Sequence, residues 1–208
     1  MANSAVKSQG YATLARGLWE ENPIFRQVLG ICSTLAVTNY LLNTIIMCAG
    51  LTFTLCASCV TVSLLRHYTP VRIRMMVQTL IIASYVIVVD IVIRAQLPEI
   101  SEQLGPYVGL IITNCIVMGR CESFARSNGP VLSFWDALGN SLGYSAVLLC
   151  IAFFRELLGF RTLLGYRVLG DWFTPWTVMM MAPGAFFMLA ILVWIARSRD
   201  AVEEEKGK

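Results

Sequence analysis

The chain has 208 residues, of which 57% are hydrophobic and only 14% are charged, and its formal net charge is +3. Soluble domains carry about 25% charged residues, so this composition excludes an ordinary soluble enzyme or a nucleic-acid-binding module and predicts a membrane protein. The seven cysteines are an odd number and lie mostly in apolar segments. This pattern argues against the disulfide framework of a secreted domain.

Six apolar segments follow one another along the chain, and we predict that they form an all-α membrane protein with six transmembrane helices. The segments are residues 23–37, 40–65, 75–93, 106–118, 137–158 and 176–196. A helix needs about 20 residues to cross a bilayer, and the first and fourth segments are shorter than that. We expect these two to be half-helices that end at a cofactor, or else re-entrant or interfacial segments. A half-helix at membrane depth must have its exposed backbone end covered by protein.

The two halves of the chain repeat one pattern. Pro23 opens a short apolar run that Cys32 closes, and Pro106 opens a second run that Cys115 closes in the same way. Three segments separate the two copies, so the second copy enters the bilayer from the opposite face. We therefore predict an inverted repeat with its paired features near the bilayer midplane. The predicted units are a segment 1–22, a transmembrane domain 23–197 with repeats 23–95 and 106–197, and a tail 198–208.

The basic residues predict the orientation of the chain in the membrane. With the N terminus in the cytoplasm and six alternating segments, eleven lysines and arginines lie on the cytoplasmic side and four on the other. The four are Arg94, Arg155, Arg161 and Arg167, and Arg26 is left out because it lies within the first segment. This bias follows the positive-inside rule, so both termini are expected in the cytoplasm.

Cys32 and Cys115 are the candidate metal ligands. Thiolates bind soft metals, and iron–sulfur clusters are held by four of them, so two further ligands must come from this chain or from a related partner. Thr113 and Asn114 could donate hydrogen bonds to a bound thiolate. The alternatives are that the two cysteines pack as small hydrophobes and that the polar pair makes ordinary interhelical hydrogen bonds. Cys121 is expected at the cytoplasmic surface.

Charged residues in the predicted helices are assigned structural roles. Asp90 is expected to pair with Arg94, four residues later on the same helix face. Asp136 is expected to cap the N-terminal turn of the fifth helix. Arg155 and Glu156 are adjacent and cannot face each other, so each is expected to meet a different partner. No glycine-rich phosphate loop follows a strand, and we predict no flavin or NAD site on this chain.

Four stretches of the chain resemble the NqrDE/RnfAE family of membrane subunits. They are residues 29–38, 109–120, 133–144 and 153–159, of which 133–144 is closer to the D-type subunits of Nqr than to the E-type subunits of Rnf. The resemblance implies six segments in an inverted repeat and a homologous E-type partner of opposite orientation. It also implies an iron centre, mononuclear or [2Fe-2S], held by four cysteines, two from each subunit. The ligands carried over to this sequence are Cys32 and Cys115.

The resemblance further implies a place in a sodium-translocating NADH:quinone oxidoreductase of the bacterial inner membrane. In the family, electrons come from a subunit that carries FAD and a [2Fe-2S] cluster and pass on to flavin-bearing membrane subunits. This chain would then be an electron relay in a translocase, with no complete active site of its own. Two other hypotheses stay open, namely the Rnf counterpart and a small inverted-repeat secondary transporter.

Overall fold

The described part of the chain is helical apart from turns, short connections and one pair of very short strands. The computed structural model describes residues 13–14, 17, 24, 29–70, 72–96, 105, 107–159, 162–163, 166–167 and 181–206. The helices are α1 (Ile31–Val37), α2 (Leu41–Leu65), α3 (Arg74–Gln96), α4 (Cys115–Arg120), α5 (Pro130–Gly159) and α6 (Ala182–Lys206). The strands β1 (Thr162–Leu163) and β2 (Tyr166–Arg167) pair antiparallel in the connection after α5 and were not predicted.

Among the described residues, four helical stretches are long and apolar enough to cross a membrane. They are Leu41–Leu65, Arg74–Gln96, Tyr107–Ala125 and Pro130–Gly159, and a shorter apolar stretch covers Pro183–Ser198. These lengths and their apolar composition agree with the prediction of a helical membrane protein. The prolines that open the two predicted repeats, Pro23 and Pro106, lie outside the described residues.

Helices α2 and α5 pack antiparallel at the centre of the bundle. At one end, the backbone N–H of Leu41 donates to Glu156 Oε2 at 2.7 Å. At the other end, Ser63 Oγ donates to the carbonyl oxygen of Asn128, just before α5, at 2.7 Å. Helix α3 packs on α2 at Gly50, where an added Cβ would lie 3.0 Å from Val89 Cγ1 of α3. Small residues allow such close approach of membrane helices.

The fourth apolar segment is interrupted and longer than predicted. Residues 107–112 are helical, Thr113 and Asn114 break the helix, and α4 then continues into a π-helical turn, Cys121–Ala125. The predicted end at residue 118 is therefore too early, because Gly119 and Arg120 do not leave the bundle. The guanidinium of Arg120 is buried against a carboxylate of α5, so the helix can carry this charge inside the protein.

Two of the predicted charge pairings are confirmed. Arg94 Nε donates to Asp90 Oδ2 at 2.8 Å, four residues apart on α3. Arg155 donates to Thr38 Oγ1 at 2.6 Å, whereas Glu156 accepts from the start of α2. The adjacent pair at the end of α5 therefore does meet two different partners, and both fix α5 against the short connection between α1 and α2.

Two other predictions are wrong. Asp136 does not cap α5, because the helix already begins at Pro130 and Asp136 lies in its second turn, where it pairs with Arg120. Cys121 is not at the surface but fully buried, with its sulfur 3.6 Å from that of Cys59. The first error follows from starting the fifth segment at residue 137, and the second from ending the fourth at residue 118, which moved residues 119–125 out of the bundle.

Candidate metal centre

Both candidate ligands lie in the first turn of a helix. Cys32 is the second residue of α1 and follows Gly30, whose backbone is left-handed with φ 81° and ψ 17°. Cys115 is the first residue of α4 and follows Asn114, whose backbone is extended with φ −67° and ψ 120°. Both cysteine side chains are exposed on the surface of this chain. The two elements thus present their thiols in similar local settings.

Gly30 allows the start of α1 to approach the start of α4. Its positive φ is a conformation that glycine adopts readily and other residues rarely. A Cβ added at this position would lie 2.8 Å from Ile116 Cδ1 and 2.8 Å from Tyr144 Cε2. The backbone two residues before Cys32 is therefore in contact with the side chain that follows Cys115, and only a residue without a side chain fits there.

A buried chain of hydrogen bonds joins the same two segments. Asn114 Nδ2 donates to Ser33 Oγ at 3.1 Å, and the hydroxyl groups of Ser33 and Tyr144 are 2.5 Å apart. Tyr144 in turn donates to the carbonyl oxygen of Gly30 at 3.3 Å. At the other end, Asn114 Oδ1 accepts from the N–H of Ile116 at 2.9 Å and caps α4. Each cysteine therefore has a neighbour in this network, which fixes the two thiol-bearing segments side by side.

The remaining cysteines differ from the candidate pair in their surroundings. Four of them are buried, and Cys150 is exposed on α5. The buried cysteines are Cys48, Cys56, Cys59 and Cys121. Within the parts of the chain that the structure describes, no group of three or more histidine, cysteine or acidic residues could hold a metal ion. Cys32 and Cys115 thus offer two of the four thiolates that an iron–sulfur site needs.

Thr113 and Asn114, which were predicted from sequence to assist the ligands, differ in their exposure. Thr113 is exposed at the break in the fourth segment, and Asn114 is buried. The side chain of Asn114 bonds to Ser33 and to the start of α4, so in this chain it joins the two segments. That either residue donates to a bound thiolate stays a prediction.

Sequence reasoning missed the residues that bring the two segments together. Gly30 carried a signal, since an isolated glycine in an apolar segment indicates a close backbone approach or a strained turn. Ser33 adjoins Cys32 and mirrors the position of Asn114 beside Cys115. No sequence signal pointed to Tyr144, because its hydroxyl meets Ser33, which lies 111 positions away in the sequence.

Replacing Tyr144 with phenylalanine is expected to lower the free energy of unfolding by about 1–2 kcal/mol. The substitution removes the hydroxyl that joins Ser33 to the Gly30 carbonyl and leaves that carbonyl with one donor fewer. Unfolding of the full-length chain in mixed detergent micelles measures the effect. Tyr68→Phe is the control, because Tyr68 is 89% exposed, and equal stability losses in the two variants would contradict the assigned role.

Comparison with known proteins gives close relatives over nearly the whole chain. The sequence model of a family described as "Rnf-Nqr subunit, membrane protein" matches residues 11–193. A protein of Serratia proteamaculans, named as the D-type subunit of a Na(+)-translocating NADH-quinone reductase, is 46% identical over 194 residues, covering 91% of this chain and 93% of that protein. A protein of Pseudomonas paraeruginosa with the same name is 47% identical over 193 residues, covering 89% and 86%.

Proposed function

Because the chain belongs to the Rnf-Nqr family of membrane subunits, we propose that it is the D-type subunit of a sodium-translocating NADH-quinone reductase and relays electrons across the membrane. Cys32 and Cys115 supply two thiolate ligands to an iron centre, mononuclear or [2Fe-2S]. A homologous E-type subunit supplies the other two. The relatives that carry the D-type name support the choice of complex.

The observation that carries this proposal is the contact between two helix starts that each present an exposed thiol. Gly30 and Ser33 on one side contact Ile116 and Asn114 on the other. The order of these contacts is reversed, since the later residue of the first segment meets the earlier residue of the second. Reversed pairing of the two thiol-bearing segments supports an inverted repeat, in which paired features meet at the repeat interface.

The bound iron would supply one-electron transfer, and the protein's own residues would fix the positions of the thiolates. The hydrogen bonds of Ser33, Asn114 and Tyr144 lock the backbone on either side of the two ligands. The side chains of Ile116 and Val117, next to Cys115, are fully buried and exclude water from the inner side of the centre. A dry, preformed setting of this kind is one of the protein's means of setting the potential of a metal site.

The exposure of both thiols supports a shared site. Ligands that serve two subunits must reach the surface of each, whereas cysteines that only fill the core are buried, as four others in this chain are. In the complex we propose six transmembrane segments in the bacterial inner membrane with both termini in the cytoplasm. The partners are the E-type subunit, flavin-bearing membrane subunits and the FAD/[2Fe-2S] subunit that oxidises NADH.

Alanine substitution of Cys32 or Cys115 is the experiment that tests this function. In the purified complex, either variant is expected to lose the iron of the shared centre, because three thiolates no longer complete a four-thiolate set. NADH-driven quinone reduction is expected to fall to background, whereas NADH oxidation by an artificial acceptor at the FAD subunit persists. The measurements are metal content per complex, together with both activities.

Cys150→Ala is the matched control, since Cys150 is also exposed but lies within the continuous helix α5 and not at the start of a helix. It is expected to retain both iron and quinone reduction. Retention of iron in the Cys32 and Cys115 variants with the subunits still assembled would refute the ligand assignment. Such a result would favour the secondary transporter, whereas NAD reduction driven by ferredoxin would favour the Rnf counterpart.

A further inference from the structure

A basic cavity of about 120 Å³ lies between α2 and α3 at the end of the bundle where α2 ends and α3 begins. Three arginines line it, Arg66, Arg74 and Arg126. The rest of the lining is largely aliphatic and includes Val62 and Ile81. The combination of a basic centre and apolar walls is typical of pockets between membrane helices that hold lipid headgroups.

The positive charge of this cavity is only partly balanced within the described chain. Glu122 pairs with Arg74 and, at 3.4 Å, with Arg126. Arg66 pairs with none of the carboxylates in the described ranges and instead donates to main-chain carbonyl groups of the loop before α5. Three guanidinium groups therefore face one carboxylate, and the cavity keeps an excess of positive charge that an anion would neutralise.

Two buried polar atoms beside the cavity have no hydrogen-bond partner among the described residues. They are Nε of Arg74 and Oε1 of Gln78, and both residues line the cavity. Buried donors and acceptors are nearly always paired in native proteins, so each atom indicates a missing partner. An anionic oxygen would accept from the Arg74 N–H, and a hydroxyl group would donate to the Gln78 oxygen.

We propose that this cavity binds the phosphate group of an anionic phospholipid with a hydroxylated headgroup, of the phosphatidylglycerol type. The phosphate oxygens accept from Arg66, Arg74 and Arg126, and a headgroup hydroxyl donates to Gln78. The acyl chains lie along the outer side of α2 and α3, where large apolar side chains next to the cavity are exposed. These side chains are Leu64, Leu65, Met75, Met76 and Leu80. Free phosphate shares the anion chemistry but would leave this apolar surface uncovered.

This site shares no residue with the candidate metal centre, so its test is independent of the proposed function. The probe is short-chain phosphatidylglycerol, titrated onto the full-length chain purified in neutral detergent with its native partners attached. Phosphatidylcholine of the same chain length and inorganic phosphate are the comparison ligands. Native mass spectrometry counts the lipid molecules that stay on the subunit after it is released from the complex.

We expect selective retention of phosphatidylglycerol and an apparent affinity that falls about tenfold in Arg74→Gln, because a charge-assisted hydrogen bond is lost. Arg66→Gln is expected to lower the apparent affinity for phosphatidylglycerol as well, without breaking an ion pair. This variant replaces Arg74→Gln in the test if Arg74→Gln fails to fold. Arg72→Gln is the matched control. Arg72 is exposed in the connection between α2 and α3, two residues before Arg74, but does not line the cavity.

Three results would overturn the proposal. The first is equal retention of phosphatidylcholine, which would show that the cavity does not select an anion. The second is unchanged retention of phosphatidylglycerol in both the Arg66 and Arg74 variants, which would place the lipid elsewhere. The third is displacement of the lipid by inorganic phosphate at equal concentration, which would make the cavity a site for free anions and not for a lipid.

Discussion

Replacing Gly30 with alanine is expected to lower the free energy of unfolding by about 2–5 kcal/mol, because the variant combines a left-handed backbone strain with overpacking of a filled space. The new methyl group would overlap Ile116 Cδ1 and Tyr144 Cε2, each 2.8 Å away. Neither group moves freely, since Tyr144 is hydrogen-bonded to Ser33 and Ile116 is fully buried. The strain is therefore expected to separate the two segments that carry Cys32 and Cys115.

The same variant tests whether the approach of the two segments matters for metal binding. If the iron is held by both cysteines, the iron content of the assembled complex is expected to fall together with the stability of the chain. Gly109→Ala is the matched control, because an added Cβ there meets nothing within 4 Å and alanine favours a helix by up to about 1 kcal/mol over glycine. A Gly30→Ala complex with full stability and full iron content would contradict the packing argument.

The helical membrane fold could be predicted from the sequence because hydrophobic length alone determines which segments can cross a bilayer. The second and third segments, for example, were expected at residues 40–65 and 75–93 and form α2 at Leu41–Leu65 and α3 at Arg74–Gln96. The end of the fourth segment was misplaced because Arg120 was assumed to mark a water-exposed loop. A buried charge with its own partner looks the same in sequence as a charge at a membrane boundary.

The candidate ligands could be predicted from their repeated spacing, whereas the contacts between their segments could not. Cys32 and Cys115 each close a short apolar run, which is visible in a single sequence. The contact of Gly30 with Ile116 depends on how two distant turns pack. Asn114 was expected either to donate to a thiolate or to make an ordinary interhelical hydrogen bond, and its side chain joins the two turns. Both uses need the same amide, so residue type alone does not separate them.

Replacing Asp136 with asparagine is expected to destabilise the chain by about 3–5 kcal/mol, because it leaves the guanidinium of Arg120 buried without its carboxylate. The pair is almost inaccessible, with 7% of the Arg120 side chain and 2% of the Asp136 side chain exposed. Asn140 also donates to Asp136 Oδ1, at 3.2 Å. Asparagine keeps the shape of aspartate, so the loss measures charge and hydrogen bonding and not a cavity. The measurement is the free energy of unfolding in mixed micelles.

Asp90→Asn is the matched control, since the same substitution is made in an ion pair whose arginine, Arg94, is 65% exposed. It is expected to cost less than about 1 kcal/mol, as exposed pairs usually do. A second variant, Arg120→Met with Asp136→Asn, removes both charges and is expected to be more stable than Asp136→Asn alone. The single variant Arg120→Met is measured as well. If the stability loss of the double variant equals the sum of the losses in Asp136→Asn and Arg120→Met, the two residues act independently. In that case the ion pair does not hold α4 against α5, and another contact must keep Cys121 and its neighbours inside the bundle.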